Sequence, residues 1–276
     1  MPELPEVETV RRGLEKATVG RRINQVVVRR SDLRRPLPTN FSDMLSGREI
    51  TQLDRRAKYI LIHLNSGYVI LVHLGMSGRM VIEQGTQVEV PARKHEHIAL
   101  SVGNGTVVRF SDPRRFGLMD LTPKEKLFNH PLLKLMGPEP LGAGFNALTL
   151  MASLKGRRTP IKSALLDQRV VAGLGNIYVC ESLFMAGVSP RRITQNISAL
   201  RAERLVSATK MILRDAINAG GSTLRDHVTP TGEMGYFQYH FKVYGREGEL
   251  CESCMKPVKR IVQAGRSTFF CASCQR

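Results

Sequence analysis

The sequence predicts a multidomain α+β protein: a β-rich N-terminal half led by one helix, a helical middle, and a small cysteine-bearing module at the C-terminal end. Three observations point there. The chain has 276 residues, more than one compact domain usually holds. Its apolar residues alternate in short runs up to about residue 125 and recur at helical spacing from about Pro131. Four of its 5 cysteines fall between Cys251 and Cys274. With 42% hydrophobic residues the chain can fill a sizeable core, which excludes a disordered segment.

The first helix is expected just after Pro5, where Val7, Val10 and Leu14 share a face and Gly20 is the stop. Strand-like runs follow at residues 23–29, 50–54, 59–64, 68–74, 79–83, 97–102 and 106–110. They are rich in Val and Ile, and turn signals such as Asn65-Ser66-Gly67 and Asn104-Gly105 separate them. Short strands behind one helix predict a β-sandwich or barrel-like domain over residues 1–125. In the helical part, Thr159-Pro160 and Ser189-Pro190 each read as an N-cap followed by proline at the first helical position. A long helix is expected from Leu200 to Ala219, with Leu205, Ala208, Met211, Ile212 and Ala216 at helical spacing and Gly220-Gly221 at its end. Residues 222–240 have no period and are rich in Gly, Thr and aromatics, which in a compact domain marks a mobile functional loop. These features divide the chain into residues 1–125, 131–240 and 241–276.

Lys and Arg number 41 against 24 Asp and Glu, a formal net charge of +17. Such a surplus creates a positive field for phosphates, so nucleic acid or an anionic membrane surface is the first partner to weigh. No stretch reaches the ~20 uninterrupted apolar residues of a membrane span. The best, Tyr59 to Leu74, carries His63, Asn65, Ser66, Gly67 and His73 and reads as a β-hairpin. Met1-Pro2-Glu3-Leu4-Pro5-Glu6-Val7-Glu8 has neither the basic start nor the apolar run of a secretory signal. A reducing, cytoplasmic setting is therefore expected, in which the cysteines are not a disulfide framework. Trp is absent, leaving Phe, Tyr, Met or Arg for any wedging between bases. No feature requires an oligomer, and a monomer is the expectation.

Cys251-x2-Cys254-x16-Cys271-x2-Cys274 is the strongest metal signal. Each C-x2-C pair lets two thiolates grip one ion, and the gap suits a β-hairpin that brings the second pair back. Four sulfurs fit one tetrahedral Zn²⁺ and leave no open position, so the zinc is structural and drives the folding of its small module. Lys256, Lys259, Arg260, Gln263, Arg266 and Thr268 lie between the pairs, a basic hairpin suited to phosphates.

The N-terminus is the second constellation. Removal of Met1, which the small Pro2 permits, leaves a secondary amine. An α-amino group titrates near ~8, against ~10.4 for lysine, so a useful fraction is nucleophilic at neutral pH. Attack on a sugar C1′ gives an iminium, with Glu3 and Glu6 at hand for proton transfer. The plainer alternative is an extension ahead of a helix, its carboxylates complementing the helix dipole.

Pro2-Glu3-Leu4-Pro5-Glu6-Val7-Glu8-Thr9 and the four-cysteine hairpin together resemble the bacterial formamidopyrimidine-DNA glycosylases. The likeness continues through Arg55-Arg56-Ala57-Lys58-Tyr59, His73-Leu74-Gly75-Met76-Ser77-Gly78 and Asp112-Pro113-Arg114-Arg115-Phe116-Gly117. It goes on through Gly173-Leu174-Gly175-Asn176-Ile177-Tyr178 and Gln263-Ala264-Gly265-Arg266-Ser267-Thr268, in the family's order and over the whole chain.

The resemblance implies a base-excision repair enzyme with glycosylase and lyase chemistry in one site. Pro2 would form a Schiff base with C1′ of the damaged nucleotide, Glu3 would donate protons during base release, and Glu6 would support the sugar. Lys58 would serve β-elimination and Arg266 δ-elimination, although a guanidinium is a poor proton donor and is better suited to holding phosphate. The target nucleotide must be flipped out and its place refilled. Met76, Arg114 and Phe116 match the family's filling residues, and their glycine-flanked turns suit loop tips. Contacts to the DNA backbone would come from His95, Arg114, Arg115, Arg158, Lys162 and Asn176. Asn176, after Gly173 and Gly175, would open the second half of a helix–two-turns–helix element at a helix N-terminus suited to phosphate. Residues 232–239 would belong to a loop over the flipped base.

The resemblance thus refines the expected fold to an N-terminal β-sandwich, a helix–two-turns–helix domain and a zinc-finger β-hairpin. Its expected partner is duplex DNA with oxidised bases or abasic sites. Two rivals remain open: the sister endonuclease VIII type, which prefers oxidised pyrimidines, and a silent zinc-finger DNA-binding protein. Leu4 and the Asp112–Phe116 block favour oxidised purines, since endonuclease VIII chains begin Pro-Glu-Gly-Pro-Glu.

Overall fold

The computed structural model describes residues 2–85, 92–222 and 235–276. They form two compact units, Met1–Lys134 with Ala219–Tyr236 and Leu135–Asn218 with Phe237–Arg276.

In the first unit, helix α1 (Leu4–Thr18) is followed by β1 (Ile23–Val28), a short α2 (Phe41–Leu45), and β2 (Ile50–Arg56), β3 (Tyr59–Leu64), β4 (Tyr68–His73), β5 (Arg79–Gln84), β6 (Glu96–Val102), β7 (Thr106–Ser111) and β8 (Leu118–Pro123). Two four-stranded antiparallel sheets result, ordered β1-β6-β7-β5 and β2-β3-β4-β8. Their inner faces share one core. Ile60, Ile62, Ile70 and Val72 come from one sheet and Met80, Ile98, Leu100, Val108 and Phe110 from the other, with Val7, Val10 and Leu14 of α1 packed in. The domain is a sandwich rather than a closed barrel. Every expected strand is present, and β8 is an addition whose mixed Leu-Met-Asp-Leu-Thr-Pro sequence carries little alternation.

The second unit holds α3 (Ala147–Leu154), α4 (Ile161–Leu166), α5 (Asn176–Met185) and α6 (Ala199–Asn218), then the hairpin of β9 (Lys259–Gln263) and β10 (Arg266–Phe270). The hairpin closes through Ala264 and Gly265, both at positive φ, as a two-residue turn between twisted strands requires. Pro160 stands one position earlier than expected, as the N-cap of α4. Ser189-Pro190 starts no helix. The Arg192 N–H bonds back to the Ser189 carbonyl in a turn, and Ile193 then bridges Pro160.

Packing divides the chain differently from its linear order. Residues 219–222 join the first unit because Ser222 bonds the α1 residue Glu6. The cysteine module joins the helices because the buried Glu181 carboxylate of α5 accepts the N–H groups of Lys242, Val243 and Tyr244. Of the irregular stretch 222–240, residues 223–234 lie outside the described residues. No helix among the described residues is long and apolar enough to cross a membrane.

Candidate active site and nucleic-acid interface

Pro5 falls in the first turn of α1, so Pro2 and Glu3 sit immediately before the helix. Pro2 is buried, and Glu3 and Glu6 are 2% and 1% exposed. Both Glu6 oxygens orient this end of the chain. Oε2 accepts the Glu3 N–H at 2.8 Å, while Oε1 accepts the Ser222 N–H at 2.8 Å and its hydroxyl at 2.9 Å. Gly221 (φ +80°) passes so close that a Cβ there would lie 3.2 Å from the Glu6 carboxylate. Two buried carboxylates thus stand at the start of α1 beside Pro2, a setting in which one carboxyl can exchange protons and the other orient its neighbours.

Lys58 lies in the tight β2–β3 turn after Ala57, which is buried at φ +54°, and is itself 8% exposed. Arg55 fixes that turn by donating to the Ala57 carbonyl and to Glu8. Burial opposes the charge on Glu8, but Arg11, Arg12 and Arg55 outweigh it and hold the carboxyl below its ordinary range. His73, its ring tilted 54° against Tyr59 at 4.8 Å between centroids, takes the Gly75 N–H on Nδ1. Burial, then the charges of Lys58 and Arg34, hold its imidazole down to about 4, so it is neutral and leaves the local positive charge to Lys58.

Met76, Arg114 and Phe116, expected to be the filling residues, stand on adjacent loops of the first unit. Met76 is 38% exposed and Phe116 44%, with the Arg114 guanidinium 4.7 Å over the Phe116 ring. Beneath them Asp112 is fully buried; Oδ1 accepts the Ser77 hydroxyl at 2.5 Å and Oδ2 the Gly117 N–H at 2.7 Å. The Asp112 N–H bonds the carbonyl of His95, whose φ of +65° turns an exposed side chain out beside these loops. Arg115 is exposed too.

In the second unit Gly175 caps α5 and Asn176 is its first residue, as expected. Lys162 departs from the expected phosphate contact. It is fully buried, and its ammonium donates to Asn176 Oδ1 at 2.6 Å and to the Ser267 carbonyl at 3.3 Å. Asn176 Nδ2 donates to the same carbonyl at 2.9 Å, so the pair locks α5 to the strand that carries Arg266. Both of these acceptors are neutral oxygens, which a buried ammonium can use as hydrogen-bond partners. Arg158 and Arg266 are exposed.

The four cysteines converge, their Sγ atoms all within 4.8 Å of one another, with Cys251 and Cys274 3.9 Å apart and Cys254 and Cys271 3.4 Å apart. A tetrahedron with Zn–S bonds of ~2.3 Å needs sulfurs ~3.8 Å apart. The donor set therefore fits Zn²⁺.

Sequence reasoning missed the organising residues, Asp112 with Ser77, Ser222 and Glu181. Asp112 and Ser77 stood inside quoted blocks, but nothing in their spacing marks a hydrogen bond between positions 77 and 112.

Comparison with known proteins agrees with this geometry. Models for the formamidopyrimidine-DNA glycosylase N-terminal domain, the H2TH domain of the same enzymes, and a zinc finger found in FPG and IleRS match residues 1–119, 136–228 and 248–276. The four thiolates hold one structural zinc. Formamidopyrimidine-DNA glycosylases of Cereibacter sphaeroides and Ruegeria pomeroyi are 54% and 53% identical over the full length of both chains. The crystal structure of MutM (Fpg) from Thermus thermophilus matches with a TM-score of 0.88 and 40% identity, covering 99% of this chain and 98% of that one. A Lactococcus lactis Fpg variant bound to Fapy-dG-containing DNA matches at 0.91 and 34%, over all of both chains. The chain belongs to the formamidopyrimidine-DNA glycosylase family.

Proposed function

We propose that this chain excises oxidised purines from duplex DNA and then cuts the strand at the resulting site. The observation that carries this is the burial of Pro2, Glu3 and Glu6 at the start of α1, with Glu6 held by Glu3 N–H on one oxygen and by Ser222 on the other. After removal of Met1, the Pro2 amine adds to C1′, the glycosidic C–N bond breaks, and the base leaves with a proton from Glu3. The proline nitrogen's lone pair then expels O4′, which takes up a proton as the C1′–O4′ bond breaks, and the resulting C1′ iminium acidifies C2′. The C2′ proton passes to the Glu3 carboxylate left by base release as the 3′ phosphate departs. A second elimination expels the 5′ phosphate. Lys58 supplies a proton to the opened sugar beside a neutral His73. Glu6 positions rather than reacts, because both its oxygens are engaged.

Met76, Arg114 and Phe116 enter the gap left by the flipped nucleotide, and His95, Arg115, Arg158 and Arg266 hold phosphates. Lys162 acts through Asn176 and the hairpin. The zinc keeps the hairpin folded. A cytoplasmic site of action suits both a chromosomal substrate and four zinc-binding thiolates. Purine lesions are favoured because the Lactococcus relative and another MutM, 34% identical with a TM-score of 0.89, were crystallised on Fapy-dG and carbocyclic 8-oxo-G DNA.

Borohydride trapping on a duplex with one 8-oxoguanine opposite cytosine, with mass spectrometry of the adduct, tests this. A covalent sugar adduct on mature Pro2 is the expected result. No adduct from processed, zinc-loaded protein on oxidised purines, but one on oxidised pyrimidines, would move the substrate class; none on either would leave only DNA binding.

A further inference from the structure

Asp112 is fully buried and takes no part in the chemistry above. A buried carboxylate needs compensation, and here all of it comes from the loops that bear the wedge. Oδ1 accepts the Ser77 hydroxyl at 2.5 Å and the Arg114 N–H at 3.2 Å, and Oδ2 accepts the Gly117 N–H at 2.7 Å. Its backbone joins the segment that leads into β6, where its N–H bonds the His95 carbonyl and its own carbonyl meets Nε2 of His97 in that strand at 2.8 Å. Ser77 follows Met76, and Arg114 and Gly117 flank Phe116 along the chain. One side chain therefore ties together the loops of all three filling residues.

The backbones are fitted as closely as the side chains. Gly75 is at φ +64°, and a Cβ there would overlap the Phe116–Gly117 peptide. A Cβ on Gly117 would meet Phe110, the His73 carbonyl and Asp112 Oδ2 at 2.8 to 3.1 Å. The two loops touch main chain to main chain, which fixes their spacing but leaves their tilt to the hydrogen bonds across the contact.

We infer that Asp112, acting with Ser77, is a positioning residue for DNA opening: it presents Met76, Arg114 and Phe116 as one rigid wedge, so that the ordering of the loops is complete before the duplex arrives. Preorganisation of this kind strengthens binding only to a target that takes the wedge. An unpaired single strand has no stack to fill and needs only the phosphate contacts. The inference rests on the proposed use of the three residues as a wedge.

The test compares Asp112→Asn, Ser77→Ala and Ser77→Thr as full-length zinc-loaded proteins. Binding is read by fluorescence anisotropy on a duplex carrying a tetrahydrofuran abasic analogue and on the same strand alone, with 2-aminopurine opposite the analogue to report unstacking. Replacing one side of a buried charged hydrogen bond is worth about tenfold in an equilibrium constant. Asp112→Asn is expected to weaken duplex binding about tenfold and blunt the 2-aminopurine signal, with single-strand binding within twofold. Ser77→Ala should show the same pattern more weakly, and Ser77→Thr should restore it. Equal losses on duplex and single strand would mean a merely structural carboxylate and overturn the inference, as would unchanged duplex binding and fluorescence. Should wild-type protein trap no lesion, the proposed excision falls, while the duplex-to-strand comparison still decides the role of Asp112.

Discussion

His73 links the stability of the sandwich to pH through a group that the proposed chemistry needs neutral. Its imidazole is held down to about 4 from an ordinary 6.5, first by burial and then by Lys58 and Arg34. The unfolded chain therefore binds a proton that the folded one refuses. The stabilisation is fully present above 6.5 and is lost as pH falls toward 4. One pKa unit corresponds to ~1.4 kcal/mol, so between pH 7.5 and pH 5.0 this residue alone should remove about 2 kcal/mol. In His73→Gln that component is absent, although Gln can still accept the Gly75 N–H that Nδ1 takes now. Urea unfolding at the two pH values, with hydrogen exchange of β3 and β4 peptides as the local readout, should show wild type losing about 2 kcal/mol more than the variant. Carboxylate protonation affects both proteins alike and cancels in the comparison. Equal losses would refute the reasoning and mean that His73 is solvated or already paired when charged.

Two further outcomes follow from the site. Ser222→Ala removes a buried hydroxyl donated to Glu6 at 2.9 Å but keeps the N–H at 2.8 Å. A hydrogen bond to a charged group contributes about 1.5–3 kcal/mol, so single-turnover excision should slow by about ten- to a hundredfold with KM nearly unchanged, and an unchanged rate would remove Ser222 from the positioning of Glu6. Cys251→Ala or chelation should release the zinc, measured by atomic absorption, and weaken duplex binding as the hairpin unfolds, while Pro2 in the other unit still traps an abasic strand at saturation; full binding without zinc would show that the hairpin folds unaided.

The parts of the fold that are written in local pattern were legible in the sequence. Alternating Val and Ile gave the strands, and the apolar spacing of Val7, Val10 and Leu14 gave α1. Cysteine spacing gave the metal hairpin, because a thiolate's chemistry is carried by its identity. Ser189-Pro190 failed for a local reason as well. The same dipeptide that caps a helix also starts a turn, and bridging between Ile193 and Pro160, a tertiary contact, decided between them.

The site divides along the same line. Pro2 and Glu3 stood out as candidates from residue type at a chain end, whereas Met76, Arg114 and Phe116 were named from the family resemblance, their glycine-flanked turns suiting loop tips. Lys162 could not be placed, since a lysine in a basic stretch looks alike whether its ammonium meets phosphate or Asn176 Oδ1, and only the α4–α5 packing distinguishes the two. Asp112, Glu181 and Ser222 were missed for the complementary reason. Asp112 and Glu181 are carboxylates whose partners are mostly backbone N–H groups, which leave no mark on sequence, and Ser222 meets the Glu6 carboxylate 216 positions away in the chain. Reacting groups in this protein are thus read from side-chain identity, whereas the groups that aim them are read from where the main chain passes. A substitution at Ser222 should therefore slow the chemistry that Glu6 orients, whereas one at Asp112 should alter which DNA structures can reach it.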